Sequence, residues 1–206
     1  MFSEFAEVSS ATWGVIVALL LVGVVVFAVS KDKKRWTARM LANGALCIAL
    51  STVLSFITLY KMPQGGSITL ASMLPMFLFA YAYGVGPGML VGAAYGFVQF
   101  LQGGLYFVHP VELLLDYPLA FAMLGLAGLS NKFSDQWGMI PGIILGTFGR
   151  FVCAFLSGLI FFGMYAPEGQ NVVIYSMVYN GLYLVPEAII CIVLAMIPQI
   201  RQLAKR

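Results

Sequence analysis

Apolar runs of nearly membrane-spanning length follow one another almost from end to end of this 206-residue chain. Without water in a bilayer core, backbone polar groups must pair within the protein, and a crossing helix takes roughly 20 apolar residues. Seven segments approach that length, at about 12–29, 38–60, 68–84, 86–104, 111–130, 138–163 and 171–198. Charged residues make up 9% of the chain and hydrophobic residues 61%. A soluble domain carries about 25% charged residues, so that class is excluded. The sequence predicts an all-α, multi-pass membrane protein.

The first run is too long for a signal-peptide core and lacks a basic start, which predicts a retained span. Breaks at Pro75, Gly86-Pro87-Gly88, Pro118 and Pro186 are tolerable where the freed backbone lies inside the bundle or lines a cavity. Basic residues set the direction. Lys31, Lys33, Lys34, Arg35, Arg39, Lys132, Arg201, Lys205 and Arg206 all fall on one side if the N-terminus, with Glu4 and Glu7, is external. The C-terminus is then cytoplasmic, Lys61 lies outside and Arg150 within a span. This clustering beside membrane ends is a topology signal rather than a nucleic-acid footprint. Cys47, Cys153 and Cys191 lie in apolar runs without metal or pairing spacing and read as packing residues.

Against this background, His109, Glu112 and Asp116 stand out at i, i+3 and i+7, on one face if the run is helical. An acid at the bilayer centre costs roughly 2.5–3.5 kcal/mol on insertion scales, so such residues face cavities and mark function. Three Gly- or Pro-containing loops, 61–67, 103–110 and 163–171, converge on the same side. With about 1.5 Å per residue, Asp116 lies about 8 Å and Asn180 about 14 Å below that side. A carboxylate among Tyr106, Tyr117, Phe162, Tyr165, Tyr175, Tyr179 and Tyr183 suits a cationic ring, with cation–π attraction of about 0.5–2 kcal/mol per contact. Asn180 adds a donor and an acceptor for an aminopyrimidine or amide edge. The competing reading makes the tyrosines an interfacial belt.

Catalysis is poorly supported. His109 is the sole histidine and no second cluster completes a metal site; hydrolase, metalloprotease and Walker A patterns are missing from the sequence. A membrane enzyme using Glu112 or Asp116 as acid or base, and a stand-alone proton-coupled carrier titrating at Asp116, are the rival classes. Arg150 and Glu187 fall at matched depths, about 18 and 16 Å from the inner ends of their spans, which predicts an intramembrane ion pair. Ala38-x-x-x-Ala42 and Ala45-x-x-x-Ala49 permit close helix approach, either within the bundle or against another membrane protein.

Met62-Pro-Gln-Gly-Gly-Ser67, His109-Pro-Val-Glu-Leu-Leu-Leu-Asp-Tyr117, Phe161-Phe-Gly-Met-Tyr-Ala-Pro-Glu-Gly169 and Tyr175-Ser-x-x-Tyr-Asn180 together resemble the thiamine-specific S component of energy-coupling factor transporters. The resemblance covers about residues 38–198. It implies a six-helix S-component bundle over 37–206, preceded by an additional transmembrane helix and basic cytoplasmic linker over 1–36. It also implies a bacterial plasma-membrane protein without catalytic activity or cofactor. Such a protein would capture thiamine from outside and work with a membrane T subunit and two cytoplasmic ATPases.

Carried over by position, Asp116 matches the family's acidic binding residue, while Tyr117, Tyr106, Tyr175 and Asn180 match other ligand contacts. Gly158 matches a small pocket residue, and Phe162 stands where some members place a stacking tryptophan. Glu112 and His109 flank this set at the entrance. Ala38, Ala42, Ala45 and Ala49 lie near the alanine motif that docks on the T subunit. The chain departs from the pattern at Ala154, a histidine in relatives, and has no tryptophan in the loop before Pro75. These departures bring a related precursor, of hydroxymethylpyrimidine or pyridoxine type, within reach as an alternative ligand.

Overall fold

The computed structural model describes residues 36–103, 109–132 and 137–204. The predicted first span, its basic linker and Tyr106 lie outside the described residues. The chain is mostly helical. Its elements are α1 (Ala38–Phe56), a hairpin of β1 (Thr58–Met62) and β2 (Gly65–Thr69), α2 (Leu74–Tyr83), α3 (Val85–Gln102), α4 (Pro110–Lys132), α5 (Met139–Phe161), α6 (Val172–Ala195) and α7 (Pro198–Leu203). Among the described residues, α1, α4, α5 and α6 are long and apolar enough to cross a membrane.

The hairpin corrects the predicted spans 38–60 and 68–84. Helix α1 is capped by Thr37, whose hydroxyl accepts from Met40 N at 3.2 Å, and stops at Phe56. The chain then turns through Pro63-Gln64 into antiparallel pairing, with Lys61 opposite Ser67. Helix α2 has only ten residues, about 15 Å, half a bilayer core.

Helix α2 runs into α3 through Gly84, whose φ of 98° favours glycine. Along α3, Gly88, Gly92 and Gly96 recur every fourth residue and face the α4 backbone at Gly125, Phe121 and Tyr117. A Cβ at Gly92 or Gly96 would strike that backbone, and one at Gly88 would collide with Ala80 of α2 while crowding Gly125, so the glycines set the closeness of these helices. The core lies between these helices and α5–α6, around Phe77, Tyr95, Phe121, Leu124, Ile143 and Leu184.

Helix α4 is irregular for local reasons. His109 caps it: Nδ1 accepts from Val111 N at 3.1 Å, and Glu112 Oε2 accepts from His109 N at 3.4 Å. This reciprocal arrangement is a capping box. Pro118 then lies within a π turn, Leu115–Leu119. Lacking an N–H, it cannot continue the α-helical ladder, and the wider turn accommodates it. A 3-10 stretch, Met123–Lys132, completes the helix.

Candidate functional site

Asp116 sits in the first half of that π turn, half-buried, facing α5. Ser157 of α5 donates its hydroxyl to Asp116 Oδ2 at 2.8 Å. Gly158 follows, and α6 lies directly on it: an added Cβ would collide with Ser176 Oγ and come within 3.3 Å of Asn180 Nδ2. Asn180 Nδ2 donates to Ser176 O at 2.9 Å and to Ala154 O at 3.3 Å, and its Oδ1 accepts from Tyr183 OH at 3.0 Å. Asp116, Gly158 and Asn180, each singled out in the sequence, therefore meet where α4, α5 and α6 converge.

The other predicted residues divide. Glu112 is 4% exposed and one turn before Asp116, within hydrogen-bonding reach of its carboxylate. His109 stacks on Phe161 with ring centroids 5.2 Å apart. Both residues hold the start of α4 next to the site. Tyr117, adjacent to Asp116 in sequence, turns the other way: it meets Phe100 edge-on at 5.3 Å, and its hydroxyl reaches Gly103 at the end of α3. Tyr175 and Phe162 lie at the hairpin end of α6 and α5, where Tyr175 neighbours Tyr179 (5.8 Å) and Phe162 neighbours Tyr165 (6.0 Å).

The hairpin covers this end. Gln64 N donates to Tyr179 OH at 2.9 Å, and Gly66 lies on the Tyr183 ring. Two contacts were not legible beforehand. Ser157, a lone hydroxyl in the apolar run Phe151–Phe162, was the only signal for the Asp116 partner. The hairpin contacts join residues more than a hundred positions apart.

Among the described residues, no ion pair joins Arg150 to Glu187, which corrects that expectation. The Arg150 guanidinium lies over the Phe121 ring, 4.1 Å from its centroid. Glu187 Oε1 instead accepts from Thr69 and Ser72 hydroxyls at 2.6 and 2.8 Å. Ala38, Ala42, Ala45 and Ala49 are all exposed along α1, beside exposed Leu41, Leu46, Leu50 and Val53. Within the described residues they serve no internal packing.

A partly buried acid, an amide and aromatic rings at the hairpin end of the bundle are chemistry that can accept a small cationic ring compound. The chain is 36% identical to a thiamine transporter, ThiT, of Bacillus subtilis over 160 residues, 71% of this chain and 83% of that protein. It is 32% identical to the ThiT of Lacticaseibacillus paracasei over 123 residues, 53% of this chain and 61% of that one. The solved structure of ThiT from Listeria monocytogenes superposes with a TM-score of 0.70 at 26% identity, covering 79% of this chain and 93% of that structure. With the thiamine transporter protein model (Thia_YuaJ) matching residues 41–206 as well, the chain belongs to the thiamine transporter family.

Proposed function

We propose that this chain is the thiamine-binding S component of an energy-coupling factor uptake system. It takes thiamine from outside the cell at the hairpin end of the bundle, with the N-terminus external and the C-terminus cytoplasmic. The observation that carries the reading is Asp116, an acid inside an apolar helix that is not fully enclosed and has a hydroxyl, from Ser157, on one of its oxygens. A carboxylate offers about four acceptor positions, so a cationic ligand can still pair with it.

Around that charge, Asn180 reads a polar ring edge, Gly158 leaves room between α5 and α6, and Tyr175 and Phe162 supply stacking faces. Tyr117 turns away from this wall, towards Phe100 and the end of α3. Asn180 Nδ2 is engaged by Ala154 O and Ser176 O and its Oδ1 accepts only from Tyr183, so a ligand donor can use the second acceptor position of Oδ1, while a ligand acceptor has to displace an Nδ2 bond. Glu112 and His109 shape the entrance through the cap they form. Delivery inward requires a T subunit and two ATPases, and the exposed small-residue stripe Ala38, Ala42, Ala45 and Ala49 is the docking face. The lipid bilayer covers the rest of the apolar surface. Neither cofactor nor catalysis enters this scheme.

The test is quenching of tyrosine and tryptophan fluorescence of the purified chain. Thiamine should quench at micromolar concentration or below. Quenching by pyridoxine or hydroxymethylpyrimidine without thiamine would replace the ligand assignment, and co-purification with an ATPase pair separates the complex from a stand-alone carrier.

A further inference from the structure

The β1–β2 hairpin has little to hold it in place by itself. It is a two-stranded ribbon interrupted by irregular pairing, and four of the five β1 residues are exposed. Isolated hairpins of this kind are marginal. Its seat is one stripe of α6: Tyr179, Tyr183 and Glu187, at i, i+4 and i+8. Tyr179 takes the turn, through Gln64 N. Tyr183 takes β2, its ring carbons 2.8 Å from where a Gly66 Cβ would stand. Glu187 takes the base, through Thr69 and Ser72.

The base is the most tightly specified of the three. Glu187, Thr69 and Ser72 are 1%, 3% and 4% exposed. Both hydroxyls donate to one carboxylate oxygen and lie 2.7 Å apart, and Ser72 N donates to Thr69 Oγ1 at 3.2 Å. Between them Ala71 adopts φ 58°, a left-handed conformation unusual for a residue with a Cβ. The cluster immediately precedes α2, whose N-terminal dipole also favours a nearby anion. A buried carboxylate is costly unless well partnered, and here its partners are the residues that redirect the chain from hairpin to helix. The middle of the stripe reaches the ligand site directly, because Tyr183 OH donates to Asn180.

We infer that Glu187 is a positioning residue for ligand retention: by fixing Thr69 and Ser72 it holds the hairpin closed over the site at Asp116 and Asn180. The inference rests on the thiamine-binding reading for its kinetic half and on geometry alone for its structural half. Glu187→Leu removes the acceptor and should speed thiamine dissociation about tenfold, the scale of one lost charge-assisted bond. Association should change by less than about threefold, since no ligand contact is removed. Hydrogen exchange at 59–68 should accelerate in the ligand-free variant while α3 and α4 keep their protection. Glu187→Gln keeps an oxygen acceptor and should restore most of the protection and slow release. Should Glu187→Leu fail to fold, Thr69→Val removes one donor and carries the same expectation in smaller measure. Unchanged exchange at 59–68 overturns the inference, and so does faster exchange with unaltered dissociation. If the wild-type chain shows no thiamine quenching, the ligand reading falls, while the exchange measurement still decides whether Glu187 seats the hairpin.

Discussion

Asp116 and Glu187 are both acids inside apolar helices, and their surroundings show what separates a carboxylate kept for a ligand from one used for structure. Glu187 is 1% exposed, with two hydroxyls on a single oxygen. Asp116 is partly buried on an interrupted helix, with one hydroxyl from Ser157 and the Glu112 carboxylate one turn away. Both carry the solvation cost of a charge in an apolar setting. At Glu187 the protein meets that cost itself. At Asp116 it does so incompletely, with one hydroxyl on one oxygen, across α5 from the Asn180 amide.

The comparison breaks most directly at Asp116. Asp116→Asn keeps the shape and the Ser157 contact but removes the charge. A hydrogen bond to a charged group is worth about 1.5–3 kcal/mol, so thiamine affinity should fall by about 10- to 150-fold. Glu187→Gln, the same change of charge at the other acid, should leave the equilibrium affinity within about threefold, because its effect reaches the ligand only through the hairpin. Fluorescence titration of the two variants side by side checks both. Equal losses would erase the distinction between the acids.

A second variant tests whether the space beside Asp116 is specific. Gly158→Val places a branched side chain where Ser176 and Asn180 already sit. Forcing α5 and α6 apart should cost about 1–3 kcal/mol in stability, visible as a lowered Tm in detergent, together with weaker binding. The same replacement at Gly181, which meets nothing within 4 Å, should be well tolerated. A Gly158→Val protein with wild-type Tm and affinity would show that α6 does not rest on this residue.

How much of this was legible follows from what a sequence encodes locally. The runs that became α4, α5 and α6 were readable because length and hydropathy suffice. The hairpin was not: Thr58-Leu-Tyr-Lys-Met62 is as apolar as the end of a span, and a short apolar run does not distinguish strand from helix. Asp116, Gly158 and Asn180 were readable as exceptions within apolar helices. The orientation of Tyr117 was not, because the π turn around Pro118 changes the angular register by which neighbouring residues face the core. The Arg150–Glu187 expectation failed for a related reason. Depth along a helix says nothing about direction around it, and Phe121 and the hairpin base took the two groups instead.

A third variant measures how far Ser157 tunes the acid. Ser157→Ala removes the hydroxyl from Asp116 Oδ2 without altering the helix, at a cost near 1 kcal/mol, so affinity should fall about fivefold. If the hydroxyl acts through the carboxylate, the double variant with Asp116→Asn should lose less than the sum of the two single losses. Strict additivity would place Ser157 and Asp116 in separate roles.

The smallest effect is expected at Glu112, and it separates a capping acid from a binding one. Glu112 accepts from His109 N and closes the box that starts α4. Glutamine serves the same position in capping boxes, so Glu112→Gln should retain the cap and change stability by only about 0.5 kcal/mol. Its carboxylate also lies beside Asp116, and removing a neighbouring negative charge weakens the attraction of the site for a cation. Glu112 is 4% exposed, so salt screens this contribution little. Because the Asp116 charge stays in place, affinity should fall by only about threefold, with little dependence on salt. A loss as large as that of Asp116→Asn would make Glu112 a direct ligand contact, and the two acids of α4 would then act as a pair.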